Sequence, residues 1–320
     1  MSKPKVVFLD RATIPSQIVL KPLSFEHEWI EYDFTQPHQV AERIEDAEVV
    51  ITNKVVLNGS NLSSASKLRF IAVSATGVNN IDLEYCQSNA ISVSNIQGYA
   101  TQSVPEHVIA MLFALKRNLK GYHQDIEDDV WQRDKQFCFF THPIQDIAGS
   151  RLGILGSGSL GQATALLAKA IGMQVVFAER KGASTCREGY MPFEDVLRTA
   201  DAISIHCPLT AQTENLISSE EFQMMKPNCV LINAGRGGLV DELALVEALR
   251  SGEIAGAGVD VFTAEPADKS NPLLANSELP NLILTPHVAW GSDSAIQKLS
   301  DILIDNIDAY VAGNTQNRVV

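Results

Sequence analysis

Cysteine is scarce: the 320 residues carry five (Cys86, Cys138, Cys186, Cys207 and Cys229), with no CxxC and no regular spacing. That argues against a disulfide framework or a zinc site and fits a reducing compartment. Long apolar runs are missing too. Met1-Ser2-Lys3-Pro4-Lys5 leads into only Val6–Leu9 before Asp10, which is enough for a strand and too short for a signal-peptide core. No run approaches the roughly 20 residues of a membrane span. Cations are in deficit, with 25 Lys and Arg against 38 Asp and Glu, a net charge of −13 and a pI near 5.0. Such a balance is wrong for neutralising nucleic-acid phosphates or docking on anionic lipid. The expectation is a soluble cytoplasmic protein with no nucleic-acid or membrane partner. One small anion stays open as a ligand, and positive charge must then gather where it sits.

What is present is apolar residue in quantity, 45% of the chain, enough for two packed cores at this length. Short β-rich runs alternate with segments of helical period, the pattern of parallel sheets in an α/β protein. In the first hundred residues the strand candidates are Val6–Leu9, Val49–Ile51, Phe70–Val73 and Ile91–Val93, with helical patterns at Gln39–Glu45 and Leu83–Ser88. A buried helix follows, for which Ser103 reads as N-cap and Glu106 as the capping-box acid. After a polar stretch, Gln124–Asp134, a more regular series begins. Its strands are Leu152–Leu155, Gln174–Ala178, Ala202–His206, Cys229–Asn233, Gly256–Val261 and Leu282–Thr285. A last helix, Ser292–Ala312, carries one apolar stripe and reads as crossing back to the first domain.

Chemistry concentrates at the ends of the second series. Leu152–Gly161 is a strand running into GxGxxG and a helix. Gly156 permits the tight turn, Gly158 lets backbone approach a pyrophosphate, and Gly161 allows helix to pack on strand. Ser159, Leu160 and Gly161 open the helix whose N–H groups and dipole face the phosphates. Glu179 ends the next strand, 18 residues past Gly161, where a ribose-binding carboxylate belongs. It favours NAD over NADP; Arg180 and Lys181 read as solvated loop cations that admit NADP only if they turn inward.

In doubly wound sheets ligands bind outside the carboxyl ends of the strands. Those ends supply His206-Cys207-Pro208, Asn233-Ala234-Gly235-Arg236-Gly237, Asp260 with Glu265 nearby, and Pro286-His287. Of seven histidines, His206 and His287 both end strands. His287 is favoured as proton donor and acceptor, with Glu265 as the carboxylate that fixes its tautomer. His206 reads as a cofactor contact or a simple strand end, and His107 as structural. Arg236 is suited to grip a carboxylate through two parallel bonds, although an exposed loop arginine is the plain alternative. No metal-ligand constellation stands out.

These motifs resemble the D-isomer-specific 2-hydroxyacid dehydrogenases over essentially the whole chain. The matching segments are Ala75–Asp82, Gly156–Gly161, His206–Thr210, Asn233–Gly237, Gly258–Phe262 with Glu265-Pro266, and Thr285–His287. The resemblance implies a catalytic Arg236, Glu265 and His287. It also implies Asp260 near the nicotinamide carboxamide, Thr76 and Cys207 along the cofactor with Ala234 and Gly235, and backbone around Ala75, Thr76, Gly77 and Val78 on the substrate carboxylate. Phe8–Thr13, Thr76–Asn80 and Asn95–Tyr99 look most like glycerate dehydrogenases, also called hydroxypyruvate reductases. Glu179 stands where Asp is usual, and the absence of a regulatory domain after Val320 counts against the longer phosphoglycerate dehydrogenases.

The expected fold is α/β. A Rossmann doubly wound parallel-sheet cofactor domain (101–287) is inserted into a smaller flavodoxin-like α/β substrate domain (1–100 and 288–320), with the acid bound between them. The expected reaction is hydride transfer between NAD(H) and C2 of a small 2-keto or 2-hydroxy acid, by a homodimer joined through the cofactor domain near the helix after Ser103. The rivals are a dinucleotide-binding sensor or corepressor on the same fold, and an S-adenosylmethionine-dependent methyltransferase, since that cofactor also uses a glycine-rich turn.

Overall fold

The computed structural model describes residues 3–320. The chain forms two compact units, one running to Tyr99 and resuming at Ser292, the other spanning Ala100–Gly291. These divisions fall one residue before the first expected boundary and four residues after the second.

In the smaller unit, strands β1 (Lys5–Phe8), β2 (Glu28–Glu31), β3 (Val49–Thr52), β4 (Phe70–Val73) and β5 (Ser92–Ser94) pair in parallel in the order β2-β1-β3-β4-β5. That is the 2-1-3-4-5 order of flavodoxin-like sheets. The three central strands are almost wholly apolar and buried, as strands covered on both faces must be. The helix Asp293–Val311, capped by the Ser292 hydroxyl, belongs to this unit. Asn306 donates to Asn95 O, and Tyr310 stacks on Phe70 with centroids 4.2 Å apart.

The larger unit has seven parallel strands: β6 (Arg151–Leu155), β7 (Gln174–Ala178), β8 (Tyr190–Met191), β9 (Ala202–Ile205), β10 (Val230–Asn233), β11 (Gly256–Val259) and β12 (Leu282–Leu284). Their order is β12-β11-β10-β9-β6-β7-β8. Counted from β6 this is the doubly wound 3-2-1-4-5-6 order with a seventh strand added, and the order reverses between β6 and β9. The helix Ser103–Lys116 is buried, as expected, through Val104, Val108, Met111 and Leu112. Ser103 is its first residue rather than its cap. Gln102 holds that position, and the Ser103 hydroxyl bonds Trp290 O at 3.2 Å instead. The stretch read as merely polar forms two short helices, Leu119–Glu127 and Val130–Asp134. Among the described residues no helix is long and apolar enough to cross a membrane.

Candidate active site

Because all seven strands run one way, the ends of β6, β7, β9, β10, β11 and β12 open on the same edge of the sheet. The glycine turn follows β6. Gly156 takes φ +105°, and a Cβ there would stand 2.6 Å from the His206 carbonyl carbon; at Gly161 one would meet Gly156 O at 2.1 Å. These two glycines are therefore fixed by the protein's own packing. Gly158 is different: its φ of −67° suits any residue, and a Cβ would meet nothing within 4 Å. The space before Gly158 is the cradle a Cβ would fill, at the start of a helix whose first N–H groups have no intrahelical acceptor. Residues Gly158, Ser159 and Leu160 thus fit a dinucleotide pyrophosphate.

Glu179 closes β7 and is only 7% exposed. Its Oε1 accepts from Arg180 N and Arg187 Nη2, each at 2.9 Å, and its Oε2 from Arg187 Nε at 2.7 Å and Arg187 N at 3.1 Å. The Arg187 guanidinium chiefly, with the two backbone donors, holds this carboxyl down at about 2. No motif marks Arg187; its only signal was a cation in the loop after the ribose acid. Lys181 is an exposed loop cation whose ammonium lies 2.8 Å from Glu221.

At the end of β9, His206 Nε2 lies 2.8 Å from Ser204 Oγ, while Nδ1 is sealed without a partner. Burial pulls its imidazole down to about 4, so it is neutral near pH 7. It ends the strand half-buried, with its ring nitrogens turned to the protein. Cys207, next in the chain, is half-buried, and burial raises its thiol.

Arg236 sits on a braced loop after β10. The side chain of Asn233, 2% exposed, donates to Arg236 O at 3.0 Å and accepts from Gly235 N at 3.1 Å. Ala234 and Gly235 form the half-buried bend between them. Gly237 lies against the segment after β11, where a Cβ would come 1.8 Å from Phe262 O. That segment leads to Glu265, whose Oε1 accepts from Phe262 N at 2.9 Å. The other oxygen, Oε2, is 2.7 Å from His287 Nδ1.

His287 stands in a turn after β12 with φ +56°. Asp260 holds that turn: its backbone oxygen accepts from His287 N at 2.7 Å, and its carboxylate accepts from Val288 N and Ala289 N, each at 2.9 Å. Thr285 donates its hydroxyl to the same carboxylate, and His107 Nε2 lies 3.0 Å from that hydroxyl. Asp260, expected beside the nicotinamide, is 0% exposed, and its charge is engaged by this turn. Its carboxylate and backbone oxygen brace the turn that carries His287.

Residues Ala75, Thr76, Gly77 and Val78 lie in the smaller unit, after β4. Ala75 O accepts from Ile96 N at 2.9 Å, Thr76 O from Asn95 Nδ2 at 2.8 Å, and the Thr76 hydroxyl donates to Ile96 O at 2.7 Å. The loop is pinned at its first two residues, which bend the chain, and the amides of Gly77 and Val78 follow that bend.

Residues 109–289 match the family model described as D-isomer specific 2-hydroxyacid dehydrogenase, NAD binding domain. The chain is 44% identical to a glycerate dehydrogenase of Methylorubrum extorquens over 316 residues, covering 98% of each. It is 34% identical to a hydroxypyruvate reductase of Blautia hydrogenotrophica, over 98% of this chain and 99% of that one. Among solved structures, the D-lactate dehydrogenase of Aquifex aeolicus, complexed with NAD and lactic acid, superposes with a TM-score of 0.77 at 27% identity, covering 97% of this chain and 96% of that one. With a glycine turn that fits a pyrophosphate and an imidazole held by a carboxylate at the neighbouring strand ends, the chain belongs to the D-isomer specific 2-hydroxyacid dehydrogenases, and its larger unit carries their NAD-binding domain.

Proposed function

We propose that the substrate pair is glycerate and hydroxypyruvate, with glyoxylate as a further small 2-keto acid, and that Arg236, Glu265 and His287 carry the reaction. The observation that supports it most is the 2.7 Å bond between His287 Nδ1 and Glu265, on strand ends beside the braced Arg236 loop. Bound nicotinamide supplies or accepts the hydride at C2 of the acid. With Nδ1 directed at the carboxylate, Nδ1 carries a hydrogen and Nε2 is the atom that exchanges the proton. In reduction Nε2 protonates the carbonyl oxygen; in oxidation it takes the hydroxyl proton. Glu265 holds the ring in that tautomer and balances its charge. Arg236 Nη1 bonds Gly235 O at 2.8 Å, and its remaining N–H groups are available for the substrate carboxylate. The names of the two relatives support the choice of acid.

NADH oxidation with hydroxypyruvate, glyoxylate, pyruvate and phosphohydroxypyruvate tests this directly. Hydroxypyruvate should give the highest kcat/KM. A preference for pyruvate or the phosphorylated acid would overturn the substrate assignment and leave the reaction class standing.

The homodimer is part of the same reading, but its contact moves. The helix after Ser103 is buried in its own unit, with Phe113 its one exposed large apolar residue among those described. Exposed Leu119, Trp131, Phe137, Phe140 and Leu166 of the larger unit are better placed to meet a second copy. Sedimentation should read twice 34.8 kDa.

A further inference from the structure

The Glu179 carboxylate has about four lone-pair sites, and four N–H groups already face it. A ribose 2′-hydroxyl can donate to it only if one of them leaves. Two are backbone groups fixed by the loop. The other two belong to the Arg187 guanidinium, whose side chain is 54% exposed. The arginine is therefore the part that moves.

Its surroundings guide where it goes. Cζ of Arg187 lies 3.8 Å over the Tyr190 ring. The Tyr190 hydroxyl in turn donates to Ser157 Oγ at 2.7 Å, within the glycine turn. One chain of contacts so links the pyrophosphate cradle to the ribose acid. Beside Glu179 is an open groove of about 440 Å³, lined by Arg180, Ser184, Thr185, Cys186 and Glu194. Glu179 and Glu194 supply negative charge there, and Arg180 with the adjacent Arg187 offsets it.

We propose that Arg187 is a movable counter-ion for Glu179, and that with it the adenosine end of this site accepts the 2′-phosphate of NADP(H) as well as the 2′-hydroxyl of NAD(H). This rests on the dinucleotide reading of the site. With NAD, the guanidinium swings off and the freed carboxylate takes the ribose hydroxyl. With NADP, it turns from carboxylate to phosphate, a dianion it can grip through two parallel bonds, and so screens the repulsion from Glu179. A carboxylate without such a counter-ion rejects the 2′-phosphate.

Calorimetric titration of NADH, NADPH and adenosine 2′,5′-bisphosphate into wild type, Arg187→Ala and Glu179→Gln tests the idea without turnover. Wild type should bind NADPH within about tenfold of NADH. Arg187→Ala should weaken NADPH and the bisphosphate by about tenfold or more, the worth of one charge-assisted contact, and leave NADH unchanged or tighter. Glu179→Gln, which removes the repulsive charge and spares the arginine, should shift preference toward NADPH. Equal weakening of NADH and NADPH by Arg187→Ala would overturn the proposal, because the arginine would then only fold the loop. So would a wild type that holds NADH more than about a thousandfold tighter, or a Glu179→Gln variant with unchanged preference. If NADH binds normally and only the ratio fails to move, the dinucleotide reading survives; if neither nucleotide binds, both fall.

Discussion

His287 holds a backbone conformation that a β-carbon disfavours by roughly 1–2 kcal/mol, and the bonds from His287 N to Asp260 O, from Val288 N and Ala289 N to the Asp260 carboxylate and from Trp290 Nε1 to His287 O keep it there. Strain held so firmly at a strand end fits a residue whose aim matters more than its comfort. Its role can be separated from that of Glu265 by charge. His287→Asn keeps a polar side chain and removes the proton carrier, so kcat should fall by about 10²–10⁴-fold, with the Kd for NADH nearly unchanged. Glu265→Gln keeps an acceptor for Nδ1 and removes only the charge, so its loss should be smaller. Stopped-flow measurement of hydroxypyruvate reduction by both variants is the check, and turnover of His287→Asn within threefold of wild type would remove His287 from the proton-transfer step.

At the scale of elements, the close approach of two loops joins the arginine to the acid–base pair. Gly237 is the point of contact with Phe262, and a methyl group at 1.8 Å from a carbonyl oxygen cannot be absorbed by a side-chain rotation. Gly237→Ala should force the Arg236 and Glu265 segments apart, with about 1–3 kcal/mol of lost stability and a large fall in kcat/KM. Gly158→Ala is the matched opposite, since its methyl meets no protein atom. That variant should melt like wild type and bind NADH about tenfold more weakly, by obstructing the pyrophosphate. Paired melting curves and NADH titrations would show both effects, and a destabilised Gly158→Ala or a normal Gly237→Ala would contradict the packing described. The sequence made the strand ends legible because interior parallel strands are short, continuous apolar runs. It concealed β2 and β8, for opposite reasons. Glu-Trp-Ile-Glu is half polar because an edge strand is half solvated, and Tyr190-Met191 is too short to show any period. Arg187 was concealed because an ion pair across an eight-residue loop has no spacing rule, unlike i,i+4 pairs on a helix. Ser103 misled because Ser103-Val104-Pro105-Glu106 has the spacing of a capping box, whereas the chain begins the helix one residue earlier and uses the hydroxyl elsewhere.

For the whole molecule, Asp10 and His206, one titratable group in each unit, respond to acid in opposite senses. In the smaller unit Asp10 is 3% exposed, and burial raises its carboxyl against the bonds from Lys54, Asn53 and Val55 backbone N–H groups. A carboxyl whose folded pKa lies above its unfolded value binds more protons when folded, so its contribution grows as pH falls toward 3.8. His206 in the larger unit does the reverse. Its folded value of about 4 lies below the unfolded 6.5, so the unfolded chain binds the extra proton between those limits. Stability is then full above pH 6.5, falls as pH drops through that window, and is lost no further below about 4. The size is on the order of 3 kcal/mol for a shift this large. Denaturant melts of wild type at pH 7.5 and 4.5 should therefore differ by more than melts of His206→Gln, whose amide does not titrate. The comparison uses the slope with pH, so any constant packing defect of the variant cancels. Equal slopes in the two proteins would mean that His206 can reach a proton in the folded state, and that the end of β9 is open to solvent rather than sealed beneath the glycine turn.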